Sequence, residues 1–287
     1  MMLLLLLACS PTSEPQLLLE PDVDRLGLDG DFGPNGVGFS TFRAARATGR
    51  SFDVDLHFPA TADAETLAGE HPMVVVIQGG AVEHERYHWM GEHLASRGYI
   101  ALTPKYPMDL AIFGSNRTHE AVDRAHNLAD DGDPILAGAI DPQAVGVMGH
   151  SLGGTVAAKQ WARHEDTFGP LVIVASYPAG GDKVEDRGQP VLSIIGELDG
   201  SADLVKTEEG AERFEQSTFA VVQGMNHYDW VDDVTEKELE KEASPSERPF
   251  EETRQDGWRL IDAYLDAEMM GSGEDWAAQD YPGLLLE

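Results

Sequence analysis

The fold is decided by one stretch of the chain, Ala144-Val145-Gly146-Val147-Met148-Gly149-His150-Ser151-Leu152-Gly153-Gly154. Its first five residues form an apolar run typical of a strand buried on both faces. From Leu152 the pattern becomes helical as far as residue 163. The middle satisfies G-x-S-x-G, in which the glycines let neighbouring backbone approach a serine held in a tight turn. We therefore predict a strand, a sharp turn that carries Ser151, and a helix.

Strand and helix patterns alternate on both sides of this stretch. Buried strands are predicted at residues 73–77, 99–103, 171–175, 191–195 and 217–222, and helices at 85–97, 118–128, 202–214 and 253–267. Alternation with short connections predicts a mostly parallel central sheet with helices on both faces. Two earlier strands, at 37–42 and 51–58, have no helix between them and should be antiparallel.

The turn at Ser151 requires two partners for chemistry, because a serine hydroxyl is a weak nucleophile until a base takes its proton. The partners are expected in the order Ser, acid, His, after later strands. Asp199 is the predicted acid, with Glu197 and Asp203 as alternatives in the same loop. His227 follows the next strand, 28 residues after Asp199, and is the predicted base. The alternative for His227 is an ordinary loop histidine.

Negative charge that develops on a substrate carbonyl needs backbone N–H donors. One donor should be Leu152, directly after the predicted nucleophile. The other should come from the loop Gln78-Gly79-Gly80-Ala81, with Gly80 as the first choice and Ala81 as the second. His150 is expected to point its side chain away from the turn.

Together these residues resemble the α/β-hydrolase superfamily, and within it the dienelactone-hydrolase-like, cutinase and polyester-hydrolase branch that includes platelet-activating-factor acetylhydrolase-like esterases. The resemblance covers residues 36–267 and extends to Gly36-Val37-Gly38-Phe39 and His57-Phe58-Pro59-Ala60 in the first strands. Relatives often carry His or Pro at the position of Gln78. The resemblance implies an α/β-hydrolase fold and ester hydrolysis through an acyl-enzyme, without a metal or organic cofactor.

Superfamily members with a cap domain usually insert it after the strand at 171–175, where this chain has only a short connection. We therefore expect no large cap and an open cleft, suited to short-chain or to bulky and polymeric esters. Tyr177 resembles the aromatic residue that lines the cleft of polyester hydrolases, although it could instead pack on the sheet. Ala81, Tyr106 and His84 are further candidates for the rim of the cleft.

A rival pattern is His84-Glu85-Arg86-Tyr87-His88, which matches the H-E-x-x-H signature of helical zinc sites. On that alternative the protein is a zinc metallohydrolase with Glu85 as base, but no third ligand stands at a familiar spacing. A third alternative is a catalytically inactive binding module on the same fold.

The charge of the chain restricts its partners. The sequence has 51 acidic and 20 basic residues, a formal net charge of −31 over 287 residues. Such a surface repels the phosphates of nucleic acids, so we expect no nucleic-acid partner. An ester substrate, small or polymeric, is the expected partner, and the chain is expected to be a monomer.

The only cysteine, Cys9, follows the apolar run Leu3-Leu4-Leu5-Leu6-Leu7-Ala8. This start resembles a bacterial lipoprotein signal, in which cleavage before the cysteine leaves a thiol for lipid attachment. We assign residues 1–8 to a signal peptide, 9–34 to a linker, 35–270 to the α/β-hydrolase domain and 271–287 to a C-terminal tail. The expected location is outside the cytoplasm on a lipid anchor, with a soluble secreted protein as the alternative.

Overall fold

The computed structural model describes residues 12–25, 30–45, 51–242, 244–273 and 275–286. In these residues ten strands form one sheet in the order β1-β2-β3-β5-β4-β6-β7-β8-β9-β10. The strands are β1 Gln16–Leu19, β2 Gly36–Ala45, β3 Ser51–Ala60, β4 His71–Ile77, β5 Ile100–Pro104, β6 Ile140–His150, β7 Leu171–Val174, β8 Val191–Gly196, β9 Ser217–Val222 and β10 Leu284–Leu286. The helices are α1 His88–Ser96, α2 Arg117–Asp130, α3 Leu152–Arg163, α4 Leu204–Ala211, α5 Glu236–Leu239 and α6 Phe250–Met269.

The centre of the sheet is parallel, as the alternating pattern predicts. Strands β5, β4, β6, β7, β8 and β9 pair in parallel from neighbour to neighbour. Their apolar runs are buried on both faces, since successive side chains of a strand point to opposite sides. In β4, Val75 packs in one core and Val74 and Val76 in the other. The predicted α/β-hydrolase fold class is confirmed.

Helices cover both faces of this sheet. The first core contains side chains of α2 and α3, with Trp161 fully buried. The second contains side chains of α1 and α6, with Trp258 and Tyr264 fully buried. The early strands are antiparallel, as expected: β2 pairs with β3, and β3 with β5.

The two ends of the chain differ from the expected linker and tail. In the segment 9–34, Gln16–Leu19 forms β1, antiparallel to β2. In the segment 271–287, Leu284–Leu286 forms β10, antiparallel to β9, and Trp276 and Tyr281 are buried. Both segments contain three leucines in a row, which show no strand period, but a sheet edge offers unpaired backbone groups that any short extended segment can satisfy. The signal peptide and Cys9 lie outside the described residues.

The charge-rich segment 236–249 is partly packed against the rest of the domain. It contains the short helix α5, and the buried Glu238 accepts hydrogen bonds from both terminal nitrogens of Arg86 at 2.9 Å. The predicted helix at 85–97 begins as a 3₁₀ turn at His84–Tyr87 before α1. In the described part of the chain, no helix has both the length and the apolar character that crossing a bilayer requires.

Candidate active site

Ser151 stands at the junction of β6 and α3, in a backbone conformation that few residues adopt. Its φ is +54° and its ψ is −127°. A positive φ costs a non-glycine residue of the order of 1–3 kcal/mol, so the surrounding structure must hold it there. The backbone N–H of Ser151 donates to Val174 O at 2.8 Å, and Ser151 O accepts from Gly154 N at 2.9 Å. The side chain is partly exposed at the carboxyl end of the sheet.

The glycines of the motif make this turn possible. A Cβ at Gly149 would lie 2.3 Å from Gly153 O, and a Cβ at Gly153 would lie 2.3 Å from Ile77 O. Both contacts are with backbone, which cannot move aside cheaply. The absence of side chains at these two positions therefore lets α3 start directly against β4 and β6.

Asp199 and His227 meet although 28 residues separate them. His227 Nδ1 lies 2.8 Å from Asp199 Oδ2, and the two side chains are 4% and 1% exposed. Asp199 Oδ1 also accepts the backbone N–H groups of Ser201, at 2.9 Å, and Ala202, at 2.6 Å. The carboxylate is thus fixed by its own loop, and its second oxygen orients the imidazole.

Local sequence places each of these two residues. Asp199 lies three residues beyond the end of β8. His227 begins a 3₁₀ turn, His227–Trp230, whose start is capped by the Asn226 side chain. Asn226 Oδ1 accepts from Tyr228 N at 3.0 Å and from Asp229 N at 3.1 Å. The cap turns the chain sharply after β9 and brings the imidazole over the end of the sheet.

The two alternative acids are occupied elsewhere. Glu197 Oε2 accepts the backbone N–H of Gly224 at 2.9 Å. Asp203 caps α4 by accepting from Lys206 N at 3.0 Å. Neither has a contact with His227 among the hydrogen bonds of the described residues, so the geometry favours Asp199.

The two residues expected to supply the oxyanion donors are in contact. A Cβ at Gly80 would lie 3.0 Å from Leu152 Cδ2 and 3.3 Å from Leu152 Cβ. The N–H of Ala81, the second choice, donates to Asp109 O at 2.8 Å and is not free. The N–H groups of Gly80 and Leu152 donate to no other residue in the part of the chain that the structure describes. These two groups are therefore available for a substrate oxygen.

A buried tyrosine–histidine pair supports this loop, and the sequence did not reveal it. Tyr87 OH accepts the N–H of Gly79 at 3.0 Å and lies 2.8 Å from His150 Nδ1. Burial raises the pKa of Tyr87, so its hydroxyl stays protonated and can donate to His150. The expectation that His150 points away is wrong: its ring lies 4.5 Å from that of His227. Burial, and then the neighbouring His227, lowers the pKa of His150 well below its ordinary value, so this imidazole is neutral.

Glu242 is a second residue that the sequence did not reveal. It lies in the charge-rich segment 236–249, and its carboxylate reaches the loop of Asp199 and the loop of His227. Its Oε2 accepts the N–H of Gly200 at 2.8 Å and that of His227 at 3.3 Å, and its Oε1 accepts the Ser201 hydroxyl at 3.0 Å. One side chain thus joins the loop of the acid to the loop of the base.

The residues predicted to line the rim of the cleft differ in their burial. Tyr177 is half-buried after β7, with its Cβ against Gly210 of α4. The prediction that Tyr106 lies on the rim is wrong, because Tyr106 is 2% exposed and its hydroxyl forms a hydrogen bond with Thr118 Oγ1 at 2.8 Å. His84 is also buried. The physical reason is that the Tyr106 ring packs in the first core and the His84 imidazole pairs with Asp55 of β3, which residue type alone does not reveal.

The two histidines of the H-E-x-x-H stretch lie against Asp55 of β3. His84 Nε2 and His88 Nε2 each lie 2.9 Å from Asp55 Oδ2, so these three residues could hold a metal ion. Burial alone would raise the pKa of Asp55, but hydrogen bonds with the two histidines outweigh it and hold the pKa well below its usual range. Glu85 Oε2 lies 2.8 Å from His84 Nδ1, so its carboxylate is next to the ring nitrogen opposite the one that faces Asp55.

Comparison with known proteins agrees with this geometry. The model of a family described as the alpha/beta hydrolase family matches residues 73–247, which include every residue assigned here to the nucleophile, the acid, the base and the oxyanion loop. A comparison with curated proteins gives no match.

Proposed function

This chain belongs to the α/β-hydrolase family, and we propose that it is a serine hydrolase of carboxylic esters with Ser151 as nucleophile, His227 as base and Asp199 as the orienting acid. The observation that carries the proposal is the 2.8 Å pair of Asp199 and His227, whose imidazole lies 4.5 Å from the ring of His150, the residue directly before a serine held at positive φ. The family establishes a hydrolase. The triad and the ester substrate are our inference from the site.

The reaction follows from these positions. Ser151 Oγ attacks the carbonyl carbon of the ester while its proton passes to His227 Nε2. Asp199 holds the opposite N–H and stabilises the imidazolium that forms. The N–H groups of Gly80 and Leu152 stabilise the oxyanion. Collapse of the tetrahedral intermediate expels the alcohol, which takes the proton from His227, and water then cleaves the acyl-enzyme by the same steps.

The surroundings of the site favour an open cleft. Residues 175–190, all of which the structure describes, contain no helix that could serve as a lid. The loop that follows β5 adjoins the oxyanion loop, since Asp109 O accepts the N–H of Ala81. Three apolar side chains of this loop are exposed: Met108 by 72%, Ile112 by 47% and Phe113 by 55%. An exposed apolar rim suits a bulky ester better than a long acyl chain that needs an enclosed tunnel.

The substrate proposal has its own test. Turnover of p-nitrophenyl esters should fall as the acyl chain lengthens, without a jump when micelles form. Phe113→Ser should raise KM for a bulky aromatic ester. Val23→Ser, at an exposed apolar position distant in sequence from this loop, should leave KM unchanged. A preference for long-chain triglycerides with interfacial activation would contradict the open cleft.

The nucleophile is tested by covalent labelling. A fluorophosphonate should modify one site, and mass spectrometry of the digested protein should place it on Ser151. Ser151→Ala should lose both labelling and ester turnover with an unchanged melting temperature. Ser115→Ala, at another partly exposed serine, should behave as wild type. Wild-type turnover by Ser151→Ala would overturn the assignment, and absence of any labelling would favour an inactive binding module.

The location remains a proposal from the sequence alone. We propose export and lipid attachment at Cys9, with the folded domain on the outer side of the membrane and otherwise monomeric. In a bacterial host, Cys9→Ser should move the protein from the membrane fraction to the soluble fraction. An unmodified Cys9 within an uncleaved mature chain, detected by mass spectrometry, would contradict the proposal.

A further inference from the structure

A cluster of one aspartate and two histidines joins β3 to the turn before α1. The atoms Asp55 Oδ2, His84 Nε2 and His88 Nε2 lie within 4.8 Å of one another, and the carboxylate oxygen is 2.9 Å from each nitrogen. We propose that this Asp55–His84–His88 cluster binds a divalent transition-metal ion of the zinc class, at a site separate from the proposed catalytic residues.

Three ring nitrogens of two buried histidines in this region have no aligned hydrogen bond, which an ion would help to explain. Both ring nitrogens of His57 have no hydrogen-bond partner among the described residues, and His84 Nδ1 is close to Glu85 Oε2 without the alignment of a hydrogen bond. His57 lies two residues after Asp55 on the same face of β3, and its ring centroid is 5.2 Å from that of His88. Buried polar groups without partners are costly, so they mark a place where something else is bound or where side chains rearrange on binding.

The groups around the cluster match the outer partners of a metal site. Thr41 Oγ1 donates to Asp55 Oδ1 at 3.0 Å, which leaves Oδ2 for the ion. Glu85 Oε2 lies 2.8 Å from His84 Nδ1, where a small rotation of the ring would align an N–H with the carboxylate. A carboxylate behind a ligating imidazole fixes its tautomer and orientation. Glu85 thus acts as an orienting residue and not as a base.

The donor set selects the class of ion. Two imidazole nitrogens and one carboxylate oxygen suit zinc and its neighbours, whereas calcium and magnesium prefer oxygen ligands alone. The His88 side chain is 25% exposed, so solvent can enter and supply a further ligand. Sites of three protein ligands commonly keep such an open position.

An ion here would fix the segment that carries Tyr87. His84 and His88 flank Tyr87 in sequence, and the Tyr87 hydroxyl accepts the N–H of Gly79 in the oxyanion loop. Binding would tie this segment to β3 at one side while Tyr87 holds the oxyanion loop at the other. The expected role is therefore stabilisation of the folded domain.

Zinc binding is measured on the full chain after chelation and dialysis. Elemental analysis should find one Zn²⁺ per chain after re-addition and desalting. The melting temperature should rise by about 5 °C when Zn²⁺ is present at about 100 times its dissociation constant. Ca²⁺ and Mg²⁺ at the same concentration should give no comparable shift.

Variants separate this cluster from other histidines. His88→Gln, at the partly exposed ligand, should abolish the stoichiometric Zn²⁺, and Glu85→Gln should weaken binding by about 10-fold to 100-fold. His119→Gln is the matched control, because His119 also lies beside a carboxylate, 3.3 Å from Asp123, and stacks on His164. It should bind Zn²⁺ as wild type does.

The proposal is overturned if the wild type retains no Zn²⁺, if His88→Gln retains it, or if His119→Gln loses it. These readouts need no ester turnover. Phosphonate labelling of Ser151 tests the hydrolase proposal separately, so the failure of one proposal is distinguishable from the failure of the other.

Discussion

Asp199 illustrates how one carboxylate is chosen from three in the same loop. Its two oxygens accept from Ser201 N, Ala202 N and His227 Nδ1, so the loop and the imidazole fix each other. Asp199→Asn keeps the shape but presents an amide to the histidine and favours the wrong tautomer. We expect kcat to fall by roughly 10⁴-fold, measured on a p-nitrophenyl ester, with little change in melting temperature. Asp203→Asn is the control, and a large loss there with a nearly silent Asp199→Asn would reverse the assignment.

In the proposed mechanism Tyr87 is a positioning residue, because it contacts the loop expected to bind the oxyanion and His150, and not the reacting atoms. Tyr87→Phe keeps the ring but leaves Gly79 N–H and His150 Nδ1 without their partner. We expect kcat to fall by roughly 10-fold to 100-fold while KM changes little, since the oxyanion donors act in the transition state.

A matched control separates positioning from stability at Tyr87. Tyr264 is also fully buried, and its hydroxyl donates to Pro190 O at 2.8 Å and accepts from Leu171 N at 3.1 Å. Tyr264→Phe should lower the free energy of unfolding by about 1–3 kcal/mol and leave kcat unchanged. Equal losses of kcat in both variants would mean that Tyr87 acts only through stability.

At the scale of elements, the sequence predicted those strands, turns and helices that depend on local sequence pattern. The strand, turn and helix around Ser151 follow from an apolar run, two glycines and a helical period, and the order of acid and base follows from where later strands end. The sequence did not predict the contacts of Tyr87, His150 and Glu242, because they join distant parts of the chain. Tyr87 and His150 are 63 residues apart, and Gly200 and Glu242 are 42 residues apart. The edge strands β1 and β10 were missed because their partners, and not their own pattern, make them strands.

The charge-rich segment 236–249, which follows the loop of His227, makes contacts that its sequence pattern did not predict. Glu242 joins the loop of Asp199 to the loop of His227 through three hydrogen bonds. Glu242→Ala should reduce transition-state stabilisation by about 1 kcal/mol, because the two loops are held less firmly. This change lowers kcat/KM by roughly 5-fold to 10-fold. Glu240→Ala removes an exposed carboxylate from the same segment and should leave kcat/KM unchanged. Equal effects would show that the charge of the segment matters and the contacts do not.

At the scale of the whole molecule, the dominant quantity is the formal net charge of −31. Carboxylates of one sign repel each other more in the compact state than in the unfolded chain, where they are farther apart. Salt screens this repulsion, since the Debye length falls from about 30 Å at 0.01 M to about 3 Å at 1 M. Added NaCl should therefore stabilise the fold.

We expect the melting temperature to rise by about 5 °C between 0.01 M and 1 M NaCl, measured by circular dichroism at pH 7. The chelator concentration is held constant, so that metal binding does not contribute. Sucrose serves as the control solute: it stabilises folded proteins by exclusion from their surface and does not screen charge. The two mechanisms differ at low concentration, because screening acts mostly below about 0.2 M and exclusion grows in proportion to solute. A melting temperature that is flat or falls over the first 0.2 M NaCl would mean that the ion pairs of this surface outweigh its net repulsion.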